Sequence, residues 1–536
     1  MRASGDPIRQ ARWRWWWLFA MLSLATGAWS LVSPLMSGHD EGAHAVRGAA
    51  VARGQLLGSP APDAWPEQPT VFIEVRAPEA YLLSEAMGCF NRRADLTPNC
   101  APEFEGGRNL EGVHTYQFRS PPWYYAAVGW PSLVSPTSAG VYGMRLVTAL
   151  ATSALLASAL TAALEIRRGG LLALGVLVAV TPEVLYLGGS INSNAVEVAA
   201  AIALRSAIVV IANVERDPNK RQVARAGVAL VVLVGMRGLS PFFGGVILAV
   251  GTYLIGGSRA RHLLRRADVR AWLGVAALMT LISLAYVAYV DEEFPIARPG
   301  QGLEEALGQV PRYLRQAVGV FGSNDILLPS VVYGLWAIAV VALLLAALLT
   351  ARPRYVLAVV GLATLGVGIQ VTAEGFALPP IGFFWQGRYA LPLLVGVPIV
   401  AAASLNSARG ARSRRLGWIS RGAVPLLGLV IVAQVIGFSQ AIRRFAVTLS
   451  GSANPIDFLF APDWSPDPGA ATVFLAMFAA GLVGAVAVVV GASRRPPVRP
   501  RKQHMSEPVA AQMAPALDNG GGITPRARQH SDRPHL

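Results

Sequence analysis

Charge is scarce in this chain: Asp, Glu, Lys and Arg make up 14% of its 536 residues against 53% hydrophobic ones, and the mean hydropathy is +0.45. A soluble core of this length could not hide so much apolar surface, which excludes an ordinary water-soluble globular protein. Alternation of polar and apolar residues, the mark of a barrel strand, is missing too, so the spanning units are helices. No short internal repeat is visible, which excludes a solenoid and argues against the two related halves common in transporters. Cysteine is limited to Cys89 and Cys100, with no paired histidines at zinc spacing. His39 and His44 stand five apart, whereas a zincin needs four with Glu directly after the first His.

What is present is a series of apolar stretches of about 18 to 24 residues, each long enough to cross roughly 30 Å of hydrocarbon as a helix. The fold class expected is therefore all-α, a polytopic integral membrane protein. Spans are predicted near 16–35, 141–164, 171–187, 195–214, 223–236, 241–255, 271–290, 327–349, 355–373, 389–405, 424–439 and 471–490, about twelve helices in all. The pair around Arg237 to Pro241 reads as broken or re-entrant. The first segment, flanked by Trp15, Trp16 and Trp17 and without a small-x-small site before Pro34, is expected to stay as helix one rather than be cleaved.

The net charge of +15 resides in arginine blocks between the apolar stretches, such as Arg216/Lys220/Arg221/Arg225 and Arg409/Arg412/Arg414/Arg415/Arg421, and in the tails. All the blocks fit one side of a membrane, which predicts both termini cytoplasmic. Nucleic acid is not an expected partner. Aromatic residues interleave with basic ones only in the head, Arg12 to Trp17, where tryptophans anchor at headgroups.

The predicted organisation is a basic, Trp-rich head (1–15), a membrane domain (16–490) and a disordered cytoplasmic tail (491–536). Within the membrane domain an extracytoplasmic loop (36–140) forms a small ordered lobe between helices one and two, with a strand-like run at 70–75. Its Pro121-Pro122-Trp123-Tyr124-Tyr125 run reads as an interfacial aromatic segment. Both cysteines fall in this lobe, so a Cys89–Cys100 disulfide is expected, worth a few kcal/mol for a loop of about ten residues. In 291–321, Leu303, Leu307, Val310, Leu314 and Val318 are spaced for a helix, either lying along the membrane surface or packed as an outer helix.

Four segments carry candidate chemistry. In Ser37 to Arg47, a new helix starting near Asp40 would place Asp40, His44 and Arg47 on one face with Glu41 to one side. A carboxylate held beside His and Arg stays ionised, as a general base must; the plainer alternative is that Asp40 caps the helix. In Thr181 to Glu197, Asn192 and Asn194 either cap the next helix or donate hydrogen bonds to a ligand, while Glu183 and Glu197 lie at or inside the apolar boundary. In Phe384 to Pro392, Arg388 runs against the sidedness of the other arginines and, with Tyr389, is placed to meet a lipid phosphate at a helix N-terminus; Arg237 is a second candidate of this kind. Trp464, in Pro462 to Pro466, could stack on a sugar ring or anchor at the interface.

In this order, the four segments resemble the bacterial membrane proteins grouped as domain of unknown function 2142, over roughly 31–464. Gly42 stands where that family often has Pro after the acidic pair, and Ser193 where it often has Pro after Asn; both are backbone changes. The family in turn resembles the C-type glycosyltransferase superfold. That resemblance implies a membrane glycosyltransferase moving a sugar, with inversion, from a polyprenyl phosphate to an extracytoplasmic glycan or lipid acceptor. It implies Asp40 or Glu41 as the catalytic carboxylate, His44 as orienting group, and Arg47, Asn192, Asn194, Arg237, Arg388, Tyr389 and Trp464 as substrate-binding residues. No metal ligand set is assigned, although two adjacent carboxylates could take a divalent cation. The alternatives are a transporter or flippase of a lipid-linked glycan, or a non-catalytic envelope assembly protein.

Overall fold

Pro34 and the glycine at position 38 end the first apolar run, and in the computed structural model helix α1 (Pro7–Val32) stops just before them while α2 (Glu41–Ala52) begins after a tight turn. The structure describes residues 7–64, 71–166, 169–214, 216–290, 302–350, 352–376, 385–406 and 411–493, with the side chains of 7–9, 376 and 411–421 set aside. The expected tail from 494 onward, the head's first six residues, Arg167, Arg168, Arg409 and Phe384 lie outside these residues.

The lobe after α2 is built on an antiparallel sheet in the order β1 (Ser59–Pro60), β2 (Ile73–Pro78), β3 (Leu110–Thr115). Strand β2 buries Ile73, Val75 and Ala77 and exposes Glu74 and Arg76, the alternation a one-sided sheet requires. It begins later than the predicted run at 70–75. Cys89 and Cys100 are joined in a disulfide. The aromatic run forms α3 (Trp123–Val128), and here the structure corrects the interfacial reading: Tyr124 and Tyr125 are buried between α2 and the bundle.

Every predicted span is helical. The bundle comprises α4 (Ser138–Ala163), α5 (Gly169–Ala179), α6 (Pro182–Gly188), α7 (Ser193–Asn213), α8 (Lys220–Gly235), α9 (Ser240–Ile255), α10 (Gly257–Leu264), α11 (Ala267–Val290), then the short α12 (Leu303–Gly308) and α13 (Val310–Val318), and α14 (Ser330–Thr350), α15 (Pro353–Phe376), α16 (Gly396–Asn406), α17 (Ala411–Val447) and α18 (Ala471–Ser493). Among the described residues 9 helices are long and apolar enough to cross a membrane, or up to 11 if the bent pairs α5/α6 (71°) and α9/α10 (118°) each count as one. The predicted total of about twelve included α8, which at 16 residues is too short to qualify.

Helix α7 is the axis of the bundle, buried from Ser193 to Ile211 and packed against α4, α8, α9 and α16. Peripheral helices turn apolar side chains outward, Leu278, Leu281 and Tyr289 on α11 among them, as lipid-facing helices do. On α12 and α13, Leu303, Leu307 and Leu314 also face out while Ala306, Tyr313 and Ala317 pack inward. The stripe therefore lies on the outside of the bundle. Close packing of α1 against the α6–α7 turn depends on Gly189, where a Cβ would sit 2.3 Å from that of Trp29.

Candidate functional site

The α1–α2 turn, the α6–α7 turn, the α8–α9 turn and the segment preceding α16 meet at one end of the bundle, under the lobe. That convergence brings three of the four sequence segments together; the fourth stays apart.

Asp40 sits at the start of α2 in a left-handed conformation (φ 57°), one that Asp tolerates better than most residues, and its side chain makes no capping bond. Capping is thus not what this residue does here. Tyr116, directly after β3, donates its hydroxyl proton to Asp40 Oδ1 (3.0 Å), and Arg388 donates through Nη2 to Oδ2 (2.6 Å). The Asp40 side chain is 29% exposed, whereas Arg388 is 2% exposed. Burial raises the Asp40 pKa, but Arg388, His44, His39 and the Tyr116 hydroxyl together outweigh it and hold the carboxyl below its ordinary value. It is an ionised carboxylate with access to solvent.

Glu41, its neighbour, is fully buried and saturated. Arg145 from α4 grips it with two bonds of 2.7 Å, and the backbone amides of Gly38 (3.1 Å) and Ile191 (3.0 Å) take the remaining acceptor positions. Arg145 also donates to the carbonyls of Ser30, Ser33 and Pro34 at the frayed end of α1. A carboxylate with four donors and no exposure has no lone pair left for a substrate proton. The structure therefore separates the two carboxylates that the sequence could not tell apart. It also turns them to different arginines, so they do not converge on one cation. Among the described residues no three His, Cys, Asp or Glu side chains are grouped as metal ligands.

His44 lies one turn into α2 with Nδ1 2.8 Å from the Tyr125 hydroxyl. Burial pushes its pKa down to about 3, Arg237 and Arg388 adding to the effect and Asp40 opposing it, so the imidazole is neutral. Arg47, by contrast, is turned away from Asp40. Its guanidinium donates to the Leu56 carbonyl (2.7 Å) and the Tyr286 hydroxyl (2.6 Å), tying α2 to α11. The expected single face of Asp40, His44 and Arg47 does not form, because the helix starts at Glu41 and Asp40 lies outside its dihedral pattern.

Arg388 also donates to Gln386 Oε1, and its Nε is buried without a hydrogen-bond partner. Its guanidinium carbon lies 5.0 Å from the centre of the Tyr389 ring, and that of Arg237 lies 4.6 Å from the same ring. Two cations thus share one aromatic ring beside Asp40. Arg237 is 28% exposed and its nearest carboxylate oxygen, Glu197 Oε2, is 3.9 Å away. Glu197 is already bonded to Asn194 Nδ2 (2.8 Å) and to the Ser240 hydroxyl.

The asparagines are used internally. Asn192 caps α7 by accepting from the Asn194 amide (3.0 Å) and donates Nδ2 to the His39 carbonyl (2.9 Å), pinning the Asp40 turn. Trp464 is elsewhere: its ring meets Phe445 edge-on at 6.3 Å and its amide donates to the Ala446 carbonyl, beside the disulfide loop rather than beside Asp40. That loop is held by Arg444, which donates to the carbonyls of Phe90, Arg93 and Leu96.

Sequence reasoning missed Arg145, Tyr116 and the pair His39–Glu183, whose Nε2 and Oε1 approach to 3.0 Å. Arg145 did leave a signal, an arginine inside an otherwise apolar span. Tyr116 left none, since only the return of β3 onto α2, where Thr115 donates to the Ala43 carbonyl, brings it to Asp40.

Two solved structures of ArnT from Cupriavidus metallidurans are similar to this chain: the apo form at 14% identity and the form bound to undecaprenyl phosphate at 15%, each covering 89% of this chain and 77% of that one with a TM-score of 0.42. A score of that size equates no residue of one chain with a residue of the other. No curated protein matches the sequence significantly. The family profile described as "Predicted membrane protein (DUF2142)" matches residues 22–397, a stretch that holds the Asp40, Asn192 and Arg388 segments and stops short of Trp464. The chain belongs to this family of predicted membrane proteins.

Proposed function

We propose that the protein is a membrane glycosyltransferase that moves a sugar from a polyprenyl-phosphate donor to a glycan or lipid acceptor on the outer side of a bacterial plasma membrane, with both termini cytoplasmic. The observation that carries the reading is the accessible Asp40 carboxylate, bonded to Arg388, which shares the Tyr389 ring with Arg237. An acidic base and a cationic cradle within one site are what sugar transfer from a lipid phosphate requires. Asp40 takes the proton from the acceptor hydroxyl as that oxygen bonds to the anomeric carbon. The bond from that carbon to the phosphate oxygen breaks on the opposite face, with inversion, and the phosphate leaves as an anion stabilised by Arg388 and Arg237.

In this reading Glu41 is a structural carboxylate, locked to Arg145. His44, neutral and fixed by Tyr125, shapes the polar surround of Asp40 and does not compete for its proton. Asn192, Asn194 and Arg47 hold the loops that carry the site.

The test is transfer from radiolabelled polyprenyl-phosphate sugars by the purified protein. Asp40→Asn is expected to lower the rate by about 10²–10⁴-fold while the protein stays folded. Undiminished transfer in that variant would remove Asp40 as the base.

A further inference from the structure

In the free protein the base and the cradle neutralise each other. Asp40 Oδ2 is bonded to Arg388 Nη2 at 2.6 Å and Oδ1 to Tyr116, so both oxygens of the accessible carboxylate are engaged. Arg388 in turn spends its two terminal nitrogens on Gln386, Asp40 and, at 3.4 Å, the Tyr389 hydroxyl. A carboxylate bonded to a guanidinium is a weak base, and a guanidinium bonded to a carboxylate is a poor anion receptor. Neither group can do its work in this state.

Building on the donor class proposed above, we infer that the Asp40 carboxylate occupies the position on Arg388 that a lipid-phosphate oxygen takes during turnover, so that phosphate binding and release of the base are one exchange.

Three features make the exchange feasible. The Arg388 Nε is buried and has no hydrogen-bond partner, leaving a donor for a second oxygen of an incoming phosphate. Arg237, over the same ring and beyond hydrogen-bond range of Glu197, supplies a second cation that Asp40 does not use. Asp40 itself is partly exposed and sits at the end of a turn, so it can leave Arg388 without unpacking the bundle. The groups facing it are Arg388, His44, His39 and Tyr116. Once Arg388 turns to phosphate, Asp40 loses its strongest stabilising cation and gains a negative neighbour, and both changes raise its affinity for a proton. The carboxylate becomes a competent base only when donor is bound.

A double-mutant cycle tests the exchange, using the full-length protein in detergent with farnesyl phosphate as probe and inorganic phosphate as a second arm. Asp40→Asn is expected to bind farnesyl phosphate about tenfold more tightly than wild type. In an Arg388→Gln background the same change is expected to bring no gain, because there is no shared guanidinium to free. Equal or weaker binding by Asp40→Asn overturns the exchange, as does a gain that persists in Arg388→Gln, which would mean simple charge repulsion. Arg388→Lys serves if the Gln variant does not fold: a point charge without the guanidinium fork should shrink the gain, and an undiminished gain overturns the proposal. If wild type does not bind farnesyl phosphate, or binds it no better than inorganic phosphate, the lipid-phosphate donor itself falls; a cycle with the expected pattern on inorganic phosphate would still support the exchange.

Discussion

At the end of the bundle that carries Asp40, ionisable side chains are withdrawn from solvent: Glu41 and Arg145 are wholly buried, and His39 and Glu183 are 1% exposed. At the opposite end the pairs reach solvent, His262 and Asp217 at 58% and 56% and Arg225 and Glu165, partly buried, at 18% and 26%. The composition of the two ends is similar in kind, basic side chains with a few acids, yet the physics differs. A buried pair must satisfy every donor and acceptor or it destabilises the fold, so it enforces one geometry. An exposed pair is screened by water and salt and contributes little. One end fixes the geometry of its ionisable groups; the other leaves them to water.

The strongest way to break this contrast is Arg145→Met. It leaves the Glu41 charge buried without its cation and removes the donors from the Ser30, Ser33 and Pro34 carbonyls, a loss of about 3–5 kcal/mol that approaches the whole stability of many proteins. The folded yield in detergent should collapse, and an Arg145→Met/Glu41→Met double variant should recover part of it. Next comes the staple of the lobe: Cys89→Ser with Cys100→Ser is expected to cost about 2–4 kcal/mol, read as a lower unfolding midpoint and faster proteolysis between β2 and β3.

A smaller effect sharpens the comparison through pH. His44 titrates near 3 in the fold and near 6.5 when unfolded. Below about 6.5 the unfolded chain therefore binds a proton that the fold refuses, so stability falls as pH drops from 6.5 toward 3, by at most about 1.4 kcal/mol per unit. Asp40, held below its ordinary value, adds a loss only at the acid end, below about 3.8. Unfolding midpoints across this range should show a slope that His44→Gln flattens between pH 6.5 and 4; an equal slope in the variant would assign it elsewhere. The smallest effect belongs to the opposite end, where Asp217→Asn should change neither folded yield nor midpoint.

Much of this architecture was legible beforehand because the signals are local. The break at Pro34, the restart after Asp40, the bend at Thr181-Pro182 and the interruption at Arg237 to Pro241 follow from residues that cannot continue a helix in lipid. The convergence of Asp40 with Arg388 was also approachable, since sidedness put both at the same interface. The aromatic run at 121–125 misled, because Tyr and Trp serve as headgroup anchors and as buried hydrogen-bond donors alike, and only packing against α2 decides between them.

Composition and long unbroken apolar runs alone dictated a polytopic helical membrane protein, since hydrocarbon admits only helices and closed barrels and barrel strands would alternate. The order of its motifs dictated the family. Which of two adjacent acids reaches solvent was decided in three dimensions. Asp40 and Glu41 have the same chemistry and nearly the same address, but their partners come from 348 and 104 residues away. A carboxylate's role is set by the donors that surround it, and those were assembled only when α4 and the strand-turn of the lobe closed around the end of α1 and the segment before α16 reached across to meet them.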